Sequence, residues 1–296
     1  MQNGLLFAFL AAVCWGISPI FQKRGLTSMG LAELNAVRGL GVLAVLVPVY
    51  FFVLTDIPVP PPESFLILTI VAFVNNLVGD LFAFVAIRNI GAGLATPVTS
   101  SYPLVVALTS WLCFGEAMSS FVWGGTFVVV MGLVLLNVRV AMHSESQARY
   151  ARGIMSAAVA ALCWALGLSL NKYLTLHGLS PTTVIFWRGI CFSFMALAAW
   201  VFFRVSAKPQ PPQSRGKIPA LALGAGLGAG ILSLVVGTWC YTFGITLIPM
   251  SVATPIAASC PLITALLACA FAGERLRPVQ WLGIVFVVAG AVMVSV

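Results

Sequence analysis

The chain is written almost entirely in long apolar runs, each broken by a short polar stretch. Within a run the apolar residues are continuous. They do not alternate with polar ones, as they would along a barrel strand. A run of about 20 such residues is one helical crossing of a bilayer. Hydrocarbon cannot satisfy backbone polar groups, so a spanning chain must be helical or a closed barrel. The missing alternation excludes the barrel. The pattern therefore predicts an all-α integral membrane protein with about ten transmembrane helices. The first five run from about Gly4 to Phe21, Ala32 to Leu54, Phe65 to Ile87, Leu94 to Phe114 and Phe121 to Val138. The second five run from about Gly153 to Leu174, Thr182 to Phe203, Ile218 to Ile245, Val252 to Ala272 and Val279 to Val294.

The polar punctuation supports this division. Prolines crowd the segment Pro58 to Pro62, where a fixed φ and a missing donor forbid a continuous helix. Residues 139–152 are the most polar of the chain, with His143, Glu145, Arg149 and Tyr150, and read as a linker between residues 1–138 and 153–296. The eighth run carries Gly224, Gly226, Gly228 and Gly230, two overlapping G-x-x-x-G pairs of the kind that lets helices approach closely in lipid.

The two parts are copies. Ala95-Thr96-Pro97, Pro103 and Gly115-Glu116 recur as Ala253-Thr254-Pro255, Pro261 and Gly273-Glu274, all at an offset of 158. The same offset carries Gly79 onto Gly237, Trp123 onto Trp281, Gly125 onto Gly283 and Gly132 onto Gly290. At slightly smaller offsets, Cys14-Trp15 and Lys23 map onto Cys163-Trp164 and Lys172, and Arg38-Gly39 maps onto Arg188-Gly189. An internal repeat takes precedence over any fold assignment. Five helices per copy is an odd number, so the second copy enters the membrane opposite to the first. That arrangement of inverted repeats places a binding site near the midplane between the halves. The duplication also removes the need for a dimer to complete one site, which leaves a monomer as the expected unit and a dimer as the alternative.

Composition sharpens this picture. Apolar residues make up 61% and charged residues 7% of 296 positions, against about 25% charged in ordinary soluble domains. The net charge of +8 would suggest nucleic acid in a soluble protein. Here it follows from membrane topology. All lysines and arginines except Lys172 and Arg188 lie near the loops that follow odd-numbered spans. The positive-inside rule then puts the linker in the cytoplasm and both termini outside. Seven cysteines sit singly within apolar runs, without C-x-x-C spacing, and read as packing residues. The first run lacks a basic leader and recurs inside the chain, so it does not read as a signal peptide.

Candidate chemistry lies within the spans. Asp80 is the one acid well inside a run, and a charge there faces a cavity or a partner. Asn76 precedes it by one helical turn and Asn75 adjoins it. Two readings follow: a proton-coupling or cation-binding site, or a structural ion pair with Arg38 or Arg188. The counterpart of Asp80 is Thr238, so any ionic role is asymmetric. The paired Trp15 and Trp164 offer aromatic faces to apolar or cationic groups, or anchor at the interface. Asn171 with Lys172, and Trp187 with Arg188, suit a carboxylate or phosphate, or snorkel to the membrane surface. Ser101 and Tyr102, and in the second half Tyr241 and Ser259, are candidate hydrogen-bonding residues for substrate. Pro97, Pro103, Pro255 and Pro261 lie inside spans and predict kinks, either hinges of gating or static bends. Glu116 and Glu274 stand just before the fifth and tenth spans and read as caps of helix N-termini.

The segment from Leu94 to Val138 and its copy from Val252 to Val294 resemble the EamA repeat of the drug/metabolite transporter superfamily. The resemblance rests on the two Ala-Thr-Pro stretches, on the endings Phe114-Gly115-Glu116 and Ala272-Gly273-Glu274-Arg275, and on Cys14-Trp15-Gly16, close to the Trp-Gly that opens such repeats. In the second copy Ala165 replaces that glycine. The resemblance implies ten helices around a central cavity lined by spans one, three, four, six, eight and nine, and alternating access. It also implies a substrate among amino acids, sugars, nucleotide-sugars, organic cations, drugs or lipid-linked sugars. Members are often described with both termini in the cytoplasm, whereas the loop charges of this chain argue the reverse.

The expected function is a secondary active carrier for a small metabolite in the inner membrane, with no cofactor. A flippase for a lipid-linked sugar or phosphate is the alternative within transport. No G-x-x-x-x-G-K-[ST] occurs, so direct ATP hydrolysis is not expected. An intramembrane aspartyl enzyme needs a second aspartate beside the first, and no other span supplies one. His143 and His177 both fall in loops, which gives a metal site no support. No ring of charges or filter sequence marks a channel.

Overall fold

The computed structural model describes residues 1–52, 57–90, 95, 98–137, 147–206, 218–272 and 277–295. Among them every regular element is helical, as the unbroken apolar runs require. The first half comprises α1 (Gln2–Leu26), α2 (Leu31–Phe52), α3 (Pro62–Val71), α4 (Asp80–Ile90), α5 (Tyr102–Phe114) and α6 (Ser120–Asn137). The second comprises α7 (Gln147–Leu176), α8 (Pro181–Ser206), α9 (Ala220–Gly230), α10 (Thr238–Leu247), α11 (Met250–Ala257), α12 (Cys260–Ala272) and α13 (Pro278–Ser295). By length and composition, eight helical stretches among the described residues are long and apolar enough to cross a membrane, and two shorter apolar helices accompany them. The architecture is that of a multi-pass membrane protein.

Three features depart from the sequence reading. First, the third and eighth spans are not plain α-helices. A π-helical segment, Ala72–Gly79, joins α3 to α4, and its counterpart Ile231–Gly237 joins α9 to α10. Such wide turns are rare and favour functional sites. Second, the ninth span is broken where a kink was expected: α11 ends at Ala257, residues 258–259 form a turn, and α12 starts at Cys260. Pro103 and Pro261 each occupy the second position of a new helix, where a missing N–H costs no hydrogen bond. Pro255 alone of the described pair members lies inside a helix, and Pro97 falls outside the described residues. Third, α7 begins at Gln147, so the end of the expected polar linker is already helical.

Packing joins the halves by contacts that recur when the halves are exchanged. Gly4 lies against Ile248, and its copy Gly153 against Ile90, the copy of Ile248. Gly125 meets Gly290 while Gly132 meets Gly283, so α6 and α13 cross antiparallel with backbones touching. A Cβ on Gly132 would sit 2.6 Å from the amide nitrogen of Val287. The glycines of α9 divide cleanly. Gly226 and Gly230 pack against α2, where a Cβ on Gly230 would strike the backbone of Arg38, while Gly224 and Gly228 face open space. One G-x-x-x-G pair of the expected two makes the contact, and it seats Arg38.

Candidate functional site

The two π segments hold matching seats for tryptophan. Trp164 of α7 lies over Gly79, and Trp15 of α1 lies over Gly237. A Cβ at Gly79 would come within 2.9 Å of the Trp164 ring, and one at Gly237 within 2.8 Å of the Trp15 ring. Only glycine lets the indoles sit so close to the helix. Each tryptophan comes from one half and its seat from the other. Trp164 Nε1 donates to Asp80 Oδ1 at 3.2 Å, and Trp15 Nε1 donates to the Ser233 carbonyl at 3.1 Å.

Asp80 holds Arg38. Arg38 Nη1 donates to Asp80 Oδ2 at 2.9 Å and to Asn35 Oδ1 at 2.8 Å, and Nη2 reaches Ser233 Oγ at 3.5 Å. The guanidinium is 3% exposed and stands 6.0 Å from the centre of the Phe192 ring. A buried cation demands this much: a charge partner, further acceptors and an aromatic face. Of the two readings of Asp80, the structure displays the ion pair, and with Arg38 as its partner.

Arg188, the copy of Arg38, is equally buried at 3%. It donates from Nη2 to Thr238 Oγ1 at 3.2 Å, and Thr238 Oγ1 donates onward to the Ser233 carbonyl at 2.8 Å. Ser233 therefore ties the assembly together: its hydroxyl meets Arg38, and its carbonyl collects both Trp15 and Thr238. Two arginines, two tryptophans and one aspartate thus form one connected network.

Around it stand two tyrosines. Tyr102, the first residue of α5, sets its ring edge-on to Trp164 at 6.2 Å. Tyr241, fully buried on α10, lies 5.5 Å from Trp15 and shares a 2.7 Å hydrogen bond between its hydroxyl and Thr254 Oγ1. Asn75 Nδ2 donates to the Trp164 carbonyl at 3.2 Å while its side chain packs on Gly167. Asn76 is buried, and its Oδ1 has no hydrogen-bond partner among the described residues.

The remaining candidates lie elsewhere or serve the backbone. Ser101 and Ser259 turn back onto the carbonyls of Val98 and Ile256, at 2.7 and 2.6 Å, and so close the two helix breaks. Trp187 donates to the Pro58 carbonyl at 3.1 Å and packs with Phe65 and Phe186, so the structure does not bring it to the others. Asn171 is completely buried with neither side-chain polar atom bonded among the described residues. Lys172 belongs to a second cluster. It donates to the Ile245 carbonyl at 2.7 Å and stands 3.5 Å from Glu116 Oε1.

Glu116 centres that cluster. Gly115 ends α5 in the left-handed region at φ 62°, which favours glycine, and turns Glu116 toward the second half. The carboxylate accepts from Met250 N at 2.9 Å, Ser251 N at 3.1 Å and Ser251 Oγ at 3.0 Å. It caps α11, where the first-turn amides favour an anion. Glu116 is a helix cap as expected, but for a helix of the other half, not for the fifth span that follows it. Glu274 lies outside the described residues.

Sequence reasoning missed Arg38 and Ser233 as members of the site. Arg38 entered only as a partner for Asp80. Ser233 was findable, since it is the copy of the candidate Asn75.

Known proteins bear on this arrangement. The chain is 24% identical to "Uncharacterized inner membrane transporter YedA" of Escherichia coli K12, over 99% of this chain and 90% of that one. It is 25% identical to an "Uncharacterized transporter" of Archaeoglobus fulgidus over 58% of this chain and 59% of the relative, and 23% identical to "Inner membrane protein YtfF" of Escherichia coli K12 over 56% and 53%. The chain thus spans little more than half the length of these last two. A solved structure, described only as the crystal structure of a protein, superposes with a TM-score of 0.79 at 16% identity, covering 99% of this chain and 96% of that one, and so shares the fold. The model of the EamA-like transporter family matches residues 2–138 and 151–296. Both halves are covered, and the chain belongs to the EamA-like transporter family.

Proposed function

We propose that the protein is a secondary carrier of the inner membrane, built as ten transmembrane helices in two inverted five-helix repeats. On this reading it moves a small metabolite by alternating access around the Arg38, Asp80, Trp15 and Trp164 network. The observation that carries the reading is the exchange of seats, Trp164 over Gly79 and Trp15 over Gly237. Equivalent elements of two halves face each other across one polar centre, as in carriers built from inverted repeats. The antiparallel crossing of α6 with its copy α13 supports the inversion. The printed names of the relatives support the membrane and the transport class. The charge distribution supports a cytoplasmic linker and external termini.

Asp80 is the carboxylate of this centre, so proton coupling would run through it, protonation breaking its bond to Arg38. Lys172 is engaged by Glu116 and Ile245, which removes one of the two cations a phosphate-flipping site would use. That favours the carrier over the flippase.

The test is exchange across liposomes containing the full chain, with amino acids, organic cations, organic acids, sugars and sugar phosphates presented in turn. At least one class is expected to exchange, and Trp164→Ala is expected to abolish it. Movement of polyprenyl phosphate between leaflets, with no exchange of any soluble class, would overturn the carrier.

A further inference from the structure

We propose that the central site takes an anionic group of its substrate, a carboxylate or a phosphate, and that Arg188 is its charge partner. The inference rests on the carrier reading and adds the substrate class.

It starts from an imbalance between the two copies. Arg38 and Arg188 occupy equivalent positions and are equally buried. Arg38 has Asp80 at 2.9 Å. The residue equivalent to Asp80 is Thr238, which meets Arg188 through a neutral hydroxyl at 3.2 Å. Asp80 is near enough to act on Arg188 electrostatically, but its oxygens are taken by Arg38 and Trp164. No carboxylate pairs with Arg188 among the described residues. The second nearby acid cluster is self-contained, since Glu116 is answered by Lys172 and by the amides of α11. Among the described residues the centre therefore carries one guanidinium more than it has carboxylates.

A guanidinium is always charged and offers five N–H donors in a planar fork suited to an oxyanion. Arg188 uses one of these donors among the described residues. A cation buried in a membrane protein is disfavoured while the carboxylate that acts on it is already paired with another guanidinium. A ligand that brings the missing negative charge is thus bound by what the site lacks. The neighbourhood suits the rest of such a ligand. Trp15 is tied to the same Ser233 carbonyl as Thr238, and Tyr241 lies against Trp15, which provides aromatic surface beside the charge.

The experiment titrates the full chain in detergent with sodium acetate and with sodium phosphate at constant ionic strength, reading the unfolding temperature. Wild type, Arg188→Gln and Thr238→Asp are compared. A ligand that binds only the folded state raises stability in a saturable way. The expected result is a saturable rise in wild type, with half-saturation at least tenfold higher in Arg188→Gln. Thr238→Asp places a carboxylate beside Arg188 and is expected to be more stable than wild type without anion, and insensitive to it. A wild type indifferent to both anions, or a Thr238→Asp variant that responds as wild type does, overturns the inference. Should Thr238→Asp fail to fold, the Arg188→Gln comparison decides alone. Liposome exchange separates the two levels. Exchange of neutral or cationic metabolites but not of organic acids or sugar phosphates overturns the anionic class and keeps the carrier. Polyprenyl phosphate movement sensitive to Arg188→Gln, without soluble exchange, keeps the anionic class and overturns the carrier.

Discussion

Replacing Asp80 by asparagine keeps the shape of the side chain and removes its charge. Trp164 Nε1 retains an acceptor, and Arg38 retains Asn35 and Ser233. What is lost is the charge that balances a guanidinium only 3% exposed. Breaking a buried pair from one side costs about 3–5 kcal/mol. The Asp80 side chain is 20% exposed, so solvent screens part of this, and the expected loss is about 2–3 kcal/mol. Arg38→Gln removes the cation and should cost a comparable amount through the stranded Asp80. The informative variant is the double one. With both charges gone neither member of the pair is left stranded, so the loss should fall short of the sum of the singles by about 2 kcal/mol or more. The assay is equilibrium unfolding of the four proteins in one detergent at one salt concentration. Additive losses would refute the ion pair as the element that holds Arg38. Exchange across liposomes, measured on the same four proteins, separates stability from function: the double variant is expected to be folded and inactive.

Three further outcomes follow from the geometry. Glu116→Gln leaves acceptors for Met250 and Ser251 only on one side and strands Lys172, and should lower stability by about 1–3 kcal/mol, read by unfolding; rescue by Lys172→Met in the same background tests the pairing. Gly132→Ala pushes a methyl into the Val287 backbone and should cost about 1–3 kcal/mol, whereas Gly124→Ala on the same helix meets nothing nearer than 3.5 Å and should be neutral. Gly79→Ala should displace Trp164 from its seat and change tryptophan fluorescence, while Gly228→Ala, which faces open space, should leave the spectrum unchanged.

How much of this was legible follows from the kind of signal each feature leaves. Helices left the clearest one, because a continuous apolar run admits nothing else in a membrane, and the observed ends fall a few residues from the expected ones. The repeat exposed the tryptophan and arginine pairs, since identity at a fixed offset needs no geometry. Asp80 was conspicuous because a carboxylate in an apolar run must be answered. Other features leave no residue signature. A π segment is a change of backbone register, and Ala72–Gly79 is composed like any apolar helix with two asparagines. The cap made by Glu116 joins residues 134 apart in sequence, and a local reading assigns a cap to the next helix in the chain. Pro103 reads as a kink unless the helix is known to start at Tyr102.

The distribution of matched and unmatched residues between the halves carries a further argument. At several contacts between the halves the copies agree: Gly4 with Gly153, Gly125 with Gly283, Gly132 with Gly290, Ile90 with Ile248. Packing alone maintains such agreement, because an exchanged contact needs the same clearance at both ends. At the centre the frame agrees as well, in Trp15 and Trp164, Gly79 and Gly237, Arg38 and Arg188. The groups hung on that frame do not. Asp80 answers to Thr238, Asn75 to Ser233, Asn76 to Leu234, Tyr102 to Cys260 and Tyr241 to Ala83. Packing alone gives no reason for these polar and aromatic groups to differ, since the clearances there are as tight as at the crossing of α6 and α13. A bound substrate does offer one. A substrate with a single anionic end, as proposed, has no two-fold axis of its own. A site formed where two like halves meet can hold it in one orientation only if the halves differ where they touch it. Asp80, the one carboxylate of the centre among the described residues, bonds Arg38 and not Arg188, and is the largest of those differences.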